Sequence, residues 1–308
     1  MIMSLGDSSG RVVRRFAALL LAPILALALT GCGDDRGAAP DGSPPSPPFY
    51  EIAAADGTVE GWMLGTIHAL PDGARWRTPV IGRVMGEADL LIVEVKELGG
   101  REDGRSIYAS LAQSAGQPAL EQRVPRDLHH QLAGLMERGA LSDSAFTSTE
   151  SWAAAIALAR VDATGDPANG VDSALIDDFT GRPVRELEGL RGQLSIFDRL
   201  PETQQRAMLA AVVRGSETAR KDPERLQRAW LAGDAAIIEQ STHEGFLAEP
   251  ALREALLTGR NRRWAAAIIP VLEQAPRPLI AVGAAHLVGP DGLAALLEAK
   301  GYRVRRLP

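Results

Sequence analysis

The chain has a single cysteine, Cys32, in 308 residues. One thiol excludes an intramolecular disulfide and a thiolate metal cluster. There is no excess of positive charge either: net charge is −6 and the isoelectric point about 5.5, so the footprint of a nucleic-acid binder is missing. Only one stretch is apolar for long, near the N-terminus, which excludes a polytopic membrane protein. No Gly-x-Ser-x-Gly elbow, no His-Glu-x-x-His helix and no phosphate-binding loop is present. No repeat of solenoid length is present. What remains is ordinary for a soluble globular chain, with 45% hydrophobic and 23% charged residues, and this excludes a largely disordered or collagen-like protein.

The N-terminus reads as a secretion signal, not as part of the fold. Arg11, Arg14 and Arg15 form a basic start, and Phe16 to Leu29 is apolar with Pro23 inside it. That run is short for a bilayer span and right for a signal core. Leu29-Thr30-Gly31-Cys32 follows and resembles a bacterial lipobox, in which the cysteine is acylated and becomes the new N-terminus. Residue 33 is Gly, not Asp, which by resemblance to the lipoprotein sorting rule points to the periplasmic face of the outer membrane. Residues 1–31 are thus expected to be a signal peptide. Residues 32–48, rich in Pro and Gly, are expected to be the lipidated cysteine and an extended tether. Residues 49–308 are the expected folded body, long enough for a sizeable core.

The body predicts an α/β fold with a mixed central sheet and a large helical middle region. Strands are expected at Phe49–Ala53 and Val59–Ile67, joined by a turn at Asp56-Gly57-Thr58, and at Asp89–Val95, Pro183–Leu187, Pro278–Val282 and Tyr302–Leu307. The runs at 89–95 and 278–282 are continuously apolar, as in strands covered on both faces. A helix is expected from Pro79 to near Glu87, with Thr78 as cap and Pro at its first position. Others are expected at 125–138, 150–159, 171–180, 204–214, 223–231, 250–272 and 293–300.

Two segments share one design. Met63-Leu64-Gly65-Thr66-Ile67-His68 and Ala281-Val282-Gly283-Ala284-Ala285-His286 are each an apolar strand running into Gly-x-x-His. Glu94 stands at the end of a third strand. In open α/β sheets, sites form at the carboxyl ends of strands, so two imidazoles and a carboxylate are candidates to converge. Such a trio has two uses. It can hold a divalent ion that activates water and polarises a carbonyl, or it can act as base and acid directly. Spacing alone makes Arg260 and Asn261 part of a solvated helix face and Glu188 an acid at a helix start. His129, His130 and His243 read as surface residues. The tryptophans at 62, 76, 152, 230 and 264 read as packing, not as a sugar-stacking platform.

The chain resembles the TraB/GumN family, which is related to the Tiki metalloproteases. The matches run through Leu64-Gly65-Thr66-Ile67-His68, the strand reaching Glu94, Gly170-Val171-Asp172, Leu187-Glu188 with Gln193, Trp230 with Gly233-Asp234, and Arg260-Asn261. They end with Val282 to Leu293, the most specific string. The resemblance implies that His68, His286 and Glu94 form the active centre and are the ligands of a divalent metal, manganese or cobalt. It raises Arg260 and Asn261 to site residues, with Arg260 binding a substrate carboxylate or an oxyanion, and Glu188 to a weaker substrate-binding candidate. The expected function is a lipid-anchored, metal-dependent hydrolase, in particular a peptidase acting on a peptide or small molecule. The alternatives are a hydrolase without metal, using the same residues as acid and base, or a non-enzymatic periplasmic protein that binds a peptide or a polysaccharide-export partner.

Overall fold

The computed structural model describes residues 44–96, 102–274 and 276–308. The signal peptide, Cys32 and most of the expected tether lie outside the described residues. Six strands form one mixed sheet: β1 Phe49–Ala53, β2 Val59–Thr66, β3 Leu90–Val93, β4 Val184–Glu186, β5 Pro278–Gly283 and β6 Arg303–Arg306. Their spatial order is β4-β3-β5-β2-β1-β6. The hairpin pair β1–β2 and the edge pair β1–β6 are antiparallel, whereas β2, β3, β4 and β5 are mutually parallel. The β1–β2 turn closes because Gly57 takes φ +95° and the Asp56 carboxylate accepts the Thr58 N–H at 2.9 Å. A left-handed backbone of this kind favours glycine.

Alternation along the strands separates two cores. Trp62, Leu64, Leu91, Val93, Leu279 and Ala281 face one side, against Ile81 and Val84 of α1 (Pro79–Glu87), Val171 and Leu175 of α5 (Val171–Asp178), and Trp230. Met63, Leu90, Ile92, Ile280 and Val282 face the other side, against Trp264, Ile268 and Leu272 of α11 (Gly259–Leu272) and Leu293 and Leu297 of α12 (Leu293–Glu298). Helices on both faces explain why β3 and β5 are apolar at every position. A third core lies mostly within the middle region, joined by Val95 and Ala285 from the strand ends. It is built on α4 (Ser151–Ala159), whose residues 151–158 are all buried, packed against α7 (Glu202–Lys221).

Several element bounds differ from expectation. The helix expected at 125–138 opens with a 3-10 turn and becomes α3 only over His129–Arg138, and α7 runs well past the expected 204–214. The segment expected at 223–231 is α8, Arg225–Ala232. Helices α2 (Glu102–Ala112), α6 (Gly189–Asp198) and α9 (Ala235–Ser241) were not expected. The start of α9 is nonetheless marked: Asp234 caps it, accepting the N–H groups of Ala236 and Ile237 at 3.1 Å each. The helix expected at 250–272 is continuous but not uniform. It opens as α10 (Pro250–Arg253), widens into a π turn over Glu254–Thr258, and continues as α11.

The last residues of the expected tether are fastened to the body. The Ser46 N–H donates to the Leu231 carbonyl (2.8 Å), and the Pro48 carbonyl accepts the Gly65 N–H (2.7 Å). The Arg306 guanidinium donates to the Ser46 carbonyl at 2.6 Å. Among the described residues no helix is long and apolar enough to cross a membrane.

Candidate active site

Strand register decides which loops meet. β5 lies between β2 and β3, with Thr66 opposite Gly283 and Val93 opposite Ala281. His68, Glu94 and His286 each follow the carboxyl end of one of these three parallel strands, so one rim carries all of them. Gly283 marks the meeting point. A Cβ placed on it would stand 3.3 Å from Glu94 Oε1, 3.7 Å from His286 Cδ2 and 4.0 Å from His68 Nε2. The fourth parallel strand, β4, brings Glu188 to the same rim, where its N–H donates to the Glu94 carbonyl at 3.2 Å.

His68 is oriented by a helix start. The Val171 N–H donates to the Ile67 carbonyl at 2.9 Å, and Gly170 is pressed against the His68 carbonyl, where a Cβ would approach to 2.5 Å. This docks the first turn of α5 so that Asp172 Oδ2 lies 2.6 Å from His68 Nδ1. The other Asp172 oxygen accepts the Thr66 hydroxyl at 2.7 Å. The carboxylate can only accept, so His68 carries its proton on Nδ1 and turns Nε2 toward Gly283. Burial alone would lower the His68 pKa. The adjacent Asp172 charge and hydrogen bond, with a further contribution from Glu94, outweigh it and hold the pKa above the usual value.

His286 is set differently. Asn261 donates through Nδ2 to the Asp291 carbonyl at 2.7 Å, which fixes the amide so that Oδ1 faces His286 Nδ1 at 2.5 Å. His286 must therefore donate from Nδ1, leaving Nε2 as an acceptor, and Arg260 Nη1 lies 3.2 Å from it. Burial and the Arg260 charge push the His286 pKa down to about 3, so this imidazole is neutral across the physiological range. The Trp264 ring packs against it with centroids 4.4 Å apart.

Arg260 is buried and its donors are occupied by the protein. Nη2 binds Glu94 (2.7 Å) and Glu188 (2.8 Å), Nε binds Glu188 (3.1 Å), and Nη1 also reaches the Leu256 carbonyl (3.2 Å). Glu188 further accepts the Trp264 indole N–H at 3.0 Å. Glu94 accepts the Gly283 N–H at 2.8 Å and the Gln193 amide at 3.2 Å besides Arg260. Burial opposes its charge most strongly, but Arg260, the two imidazoles and the Gly283 N–H together outweigh it, and its pKa falls to about 2. The rim therefore holds an ionised Glu94, a neutral His286 and one imidazole, His68, whose pKa its Asp172 partner raises.

These groups form the head of a cavity of about 80 Å³. The wall beyond them is apolar: Phe197 from α6, Trp230 from α8, Ile238 from α9, then Leu247, Leu256 and Leu257.

All the candidates expected at this centre meet: His68, Glu94, Glu188, Arg260, Asn261 and His286. Arg260 and Asn261 are buried, not on a solvated helix face as their spacing alone suggested. Asp172, Thr66 and Gln193 are partners that reasoning from residue type did not single out. The available signal was an acid two residues after a glycine at a helix start. The five tryptophans are all buried. His243 and His130 are exposed, and His129 is partly exposed beside Glu121.

The donor set bears on a metal. Both imidazoles have Nδ1 fastened to an acceptor and Nε2 on the rim side, an arrangement found in metal-bound histidines. Against this, the Arg260 guanidinium covers His286 Nε2 and one Glu94 oxygen. Among the described residues no group of three or more His, Cys, Asp or Glu is arranged to hold an ion. As they stand, the three side chains do not fit a shared ion unless Arg260 turns away.

A parallel strand-end rim carrying a carboxylate-backed histidine defines an α/β protein with an enzyme-like polar centre at the carboxyl edge of its sheet. Residues 49–306 match the TraB/PrgY/gumN family model, and the chain belongs to this family. No curated protein and no solved structure matches it.

Proposed function

We propose that the protein is a hydrolase of acyl bonds, amide or ester, in which His68 is the general base. The observation that carries this is the His68–Asp172 pair, with Nε2 at the head of a cavity beside an ionised Glu94. In this reading, water adds to the substrate carbonyl as His68 Nε2 takes its proton. The tetrahedral intermediate collapses, the bond from the acyl carbon to oxygen or nitrogen breaks, and His68 returns the proton to the leaving alcohol or amine. Asp172 and Glu94 stabilise the imidazolium that forms between these events. Arg260 and Asn261 are positioning residues: one holds Glu94 charged and in place, the other fixes His286. Glu188 anchors Arg260. The family's relation to the Tiki peptidases supports an amide as the natural bond, and the lipobox at Cys32 supports a lipid-anchored enzyme on the periplasmic face of the outer membrane.

A second reading keeps these residues and adds a divalent ion, manganese or cobalt, on His68, His286 and Glu94. The two fastened imidazoles favour it and Arg260 opposes it. Chromogenic esters and a peptide-amide library, offered to wild type and His68→Ala with and without chelator, test both readings. Loss of activity in His68→Ala with chelator-resistant wild type supports acid–base hydrolysis. Activity that returns only on adding metal supports the ion. Full activity in His68→Ala overturns the role of His68 in either.

A further inference from the structure

We infer that the substrate is held by an aliphatic group and is uncharged at the bond that reacts: an aliphatic acyl ester or amide. This rests on the hydrolase reading and goes beyond it by naming the substrate class. The wall offers almost no polar partner. The protons of its two hydroxyls are already used: Ser241 donates to the Ile238 carbonyl at 2.6 Å and Thr66 to Asp172. The Trp230 indole N–H is used too, on the Gly65 carbonyl at 2.7 Å. A saccharide placed here leaves most of its hydroxyls unpaired, a desolvation cost with no return. An alkyl chain leaves none.

The charged head selects in the same direction. Glu94 and Glu188 share the Arg260 guanidinium, whose donors are all engaged, Asp172 is taken by His68 and Thr66, and the neutral His286 adds no charge. A free carboxylate meets the Glu94 and Glu188 charges there, and every Arg260 donor is already taken. An ester or amide enters; the acid it yields is repelled, which speeds its departure. Leu256 and Leu257 from the π turn, with Ile238 and Leu247, supply the aliphatic contact.

The aliphatic group has two possible sources, a fatty acyl chain or a leucine-like side chain of a peptide, and the experiment separates them. Wild-type protein is titrated by calorimetry with butanamide, hexanamide and octanamide, with octanoate, with N-acetyl-leucinamide and with maltose. Each buried methylene is worth about 0.8 kcal/mol, about four-fold in Kd, so octanamide should bind about 10²-fold more tightly than butanamide. Octanoate should bind at least ten-fold more weakly than octanamide, and maltose not at all. Leu257→Arg, checked for an unchanged melting profile, should abolish octanamide binding; if that variant does not fold, Leu257→Ala should lower it by about ten-fold. Tighter binding of N-acetyl-leucinamide than of octanamide assigns the peptide source, and the reverse assigns the acyl source. Affinity independent of chain length, or octanoate binding as tightly as octanamide, overturns the inference. Chain-length-dependent binding with no cleavage of any octanoyl ester or amide leaves the inference standing and removes the hydrolase reading. Cleavage indifferent to chain length does the opposite.

Discussion

Replacing Arg260 by Met should turn a buried, doubly paired charge into two orphaned ones. Arg260 is 5% exposed and holds Glu94 and Glu188 at 2.7 and 2.8 Å. Removing one partner of a buried ion pair costs about 3–5 kcal/mol, because the other charge stays buried without compensation. Here two carboxylates are left. In the wild type, Glu94 is lowered from 4.5 to about 2. Its contribution is complete above pH 4.5 and is lost as pH falls toward 2, so stability rises with pH there; the shift amounts to roughly 3 kcal/mol. In Arg260→Met the sign reverses. Burial then raises the Glu94 pKa above its unfolded value, the native state binds the extra proton, and stability falls as pH rises from 4.5 to 7. Urea unfolding of both proteins at pH 5 and pH 7 reads this directly. The expected result is a deficit of several kcal/mol at pH 7 that shrinks at pH 5. A deficit below about 1 kcal/mol, or one unchanged by pH, refutes the assignment of Arg260 as the counter-charge of the rim.

Three further outcomes are expected. Asp172→Asn removes the charge that raises the His68 pKa, so the acid limb of kcat/KM should move to lower pH and the rate should fall by at least about 10²-fold; an unmoved limb removes Asp172 from this role. Wild-type melting temperature should drop as pH falls from 6.5, because His286, lowered to about 3, must charge on unfolding, and should drop faster below 4.5 as Glu94 joins it. His68 acts oppositely, losing its stabilising contribution as pH rises through its raised pKa, so a melting temperature flat from pH 6.5 to 4 contradicts the two depressed groups. Gly170→Ala should cost about 1–3 kcal/mol and displace His68, since the new methyl meets the His68 carbonyl at 2.5 Å, whereas Gly215→Ala, with nothing within 4 Å, should leave stability the same or higher. Equal melting temperatures for the two variants contradict that packing.

The strands were legible because two-sided burial writes continuous apolar runs, as in Leu90–Val93 and Pro278–Gly283. Their ends were legible too, since Gly-x-x-His twice over is a local pattern. Arg260 was not. Its neighbours Arg262 and Arg263 are exposed, and a helical run of arginines has no local mark for the one turned inward; only the family resemblance raised it. Asp172 was hidden for a different reason. It meets His68 across 104 residues, a contact set by how α5 docks and not by any spacing along the chain. Helices α6 and α9 are short and take their stability from packing rather than from propensity, so a reading based on composition passes over them.

The π turn at Glu254–Thr258 ties recognition to reactivity. Reactive side chains come from strand ends far apart in sequence, while most of the apolar wall comes from one stretch, residues 197–257, inserted between β4 and β5. That separation lets the choice of substrate drift without disturbing the rim, except at one seam. Leu256 and Leu257 belong to the wall, and three residues later Arg260 belongs to the rim, on the same helical rod. Each residue added to or removed from the rod turns everything beyond it by about 100°. The loops before Pro250 are therefore free to grow or shrink, whereas the rod from Pro250 to Gly259 has a fixed length.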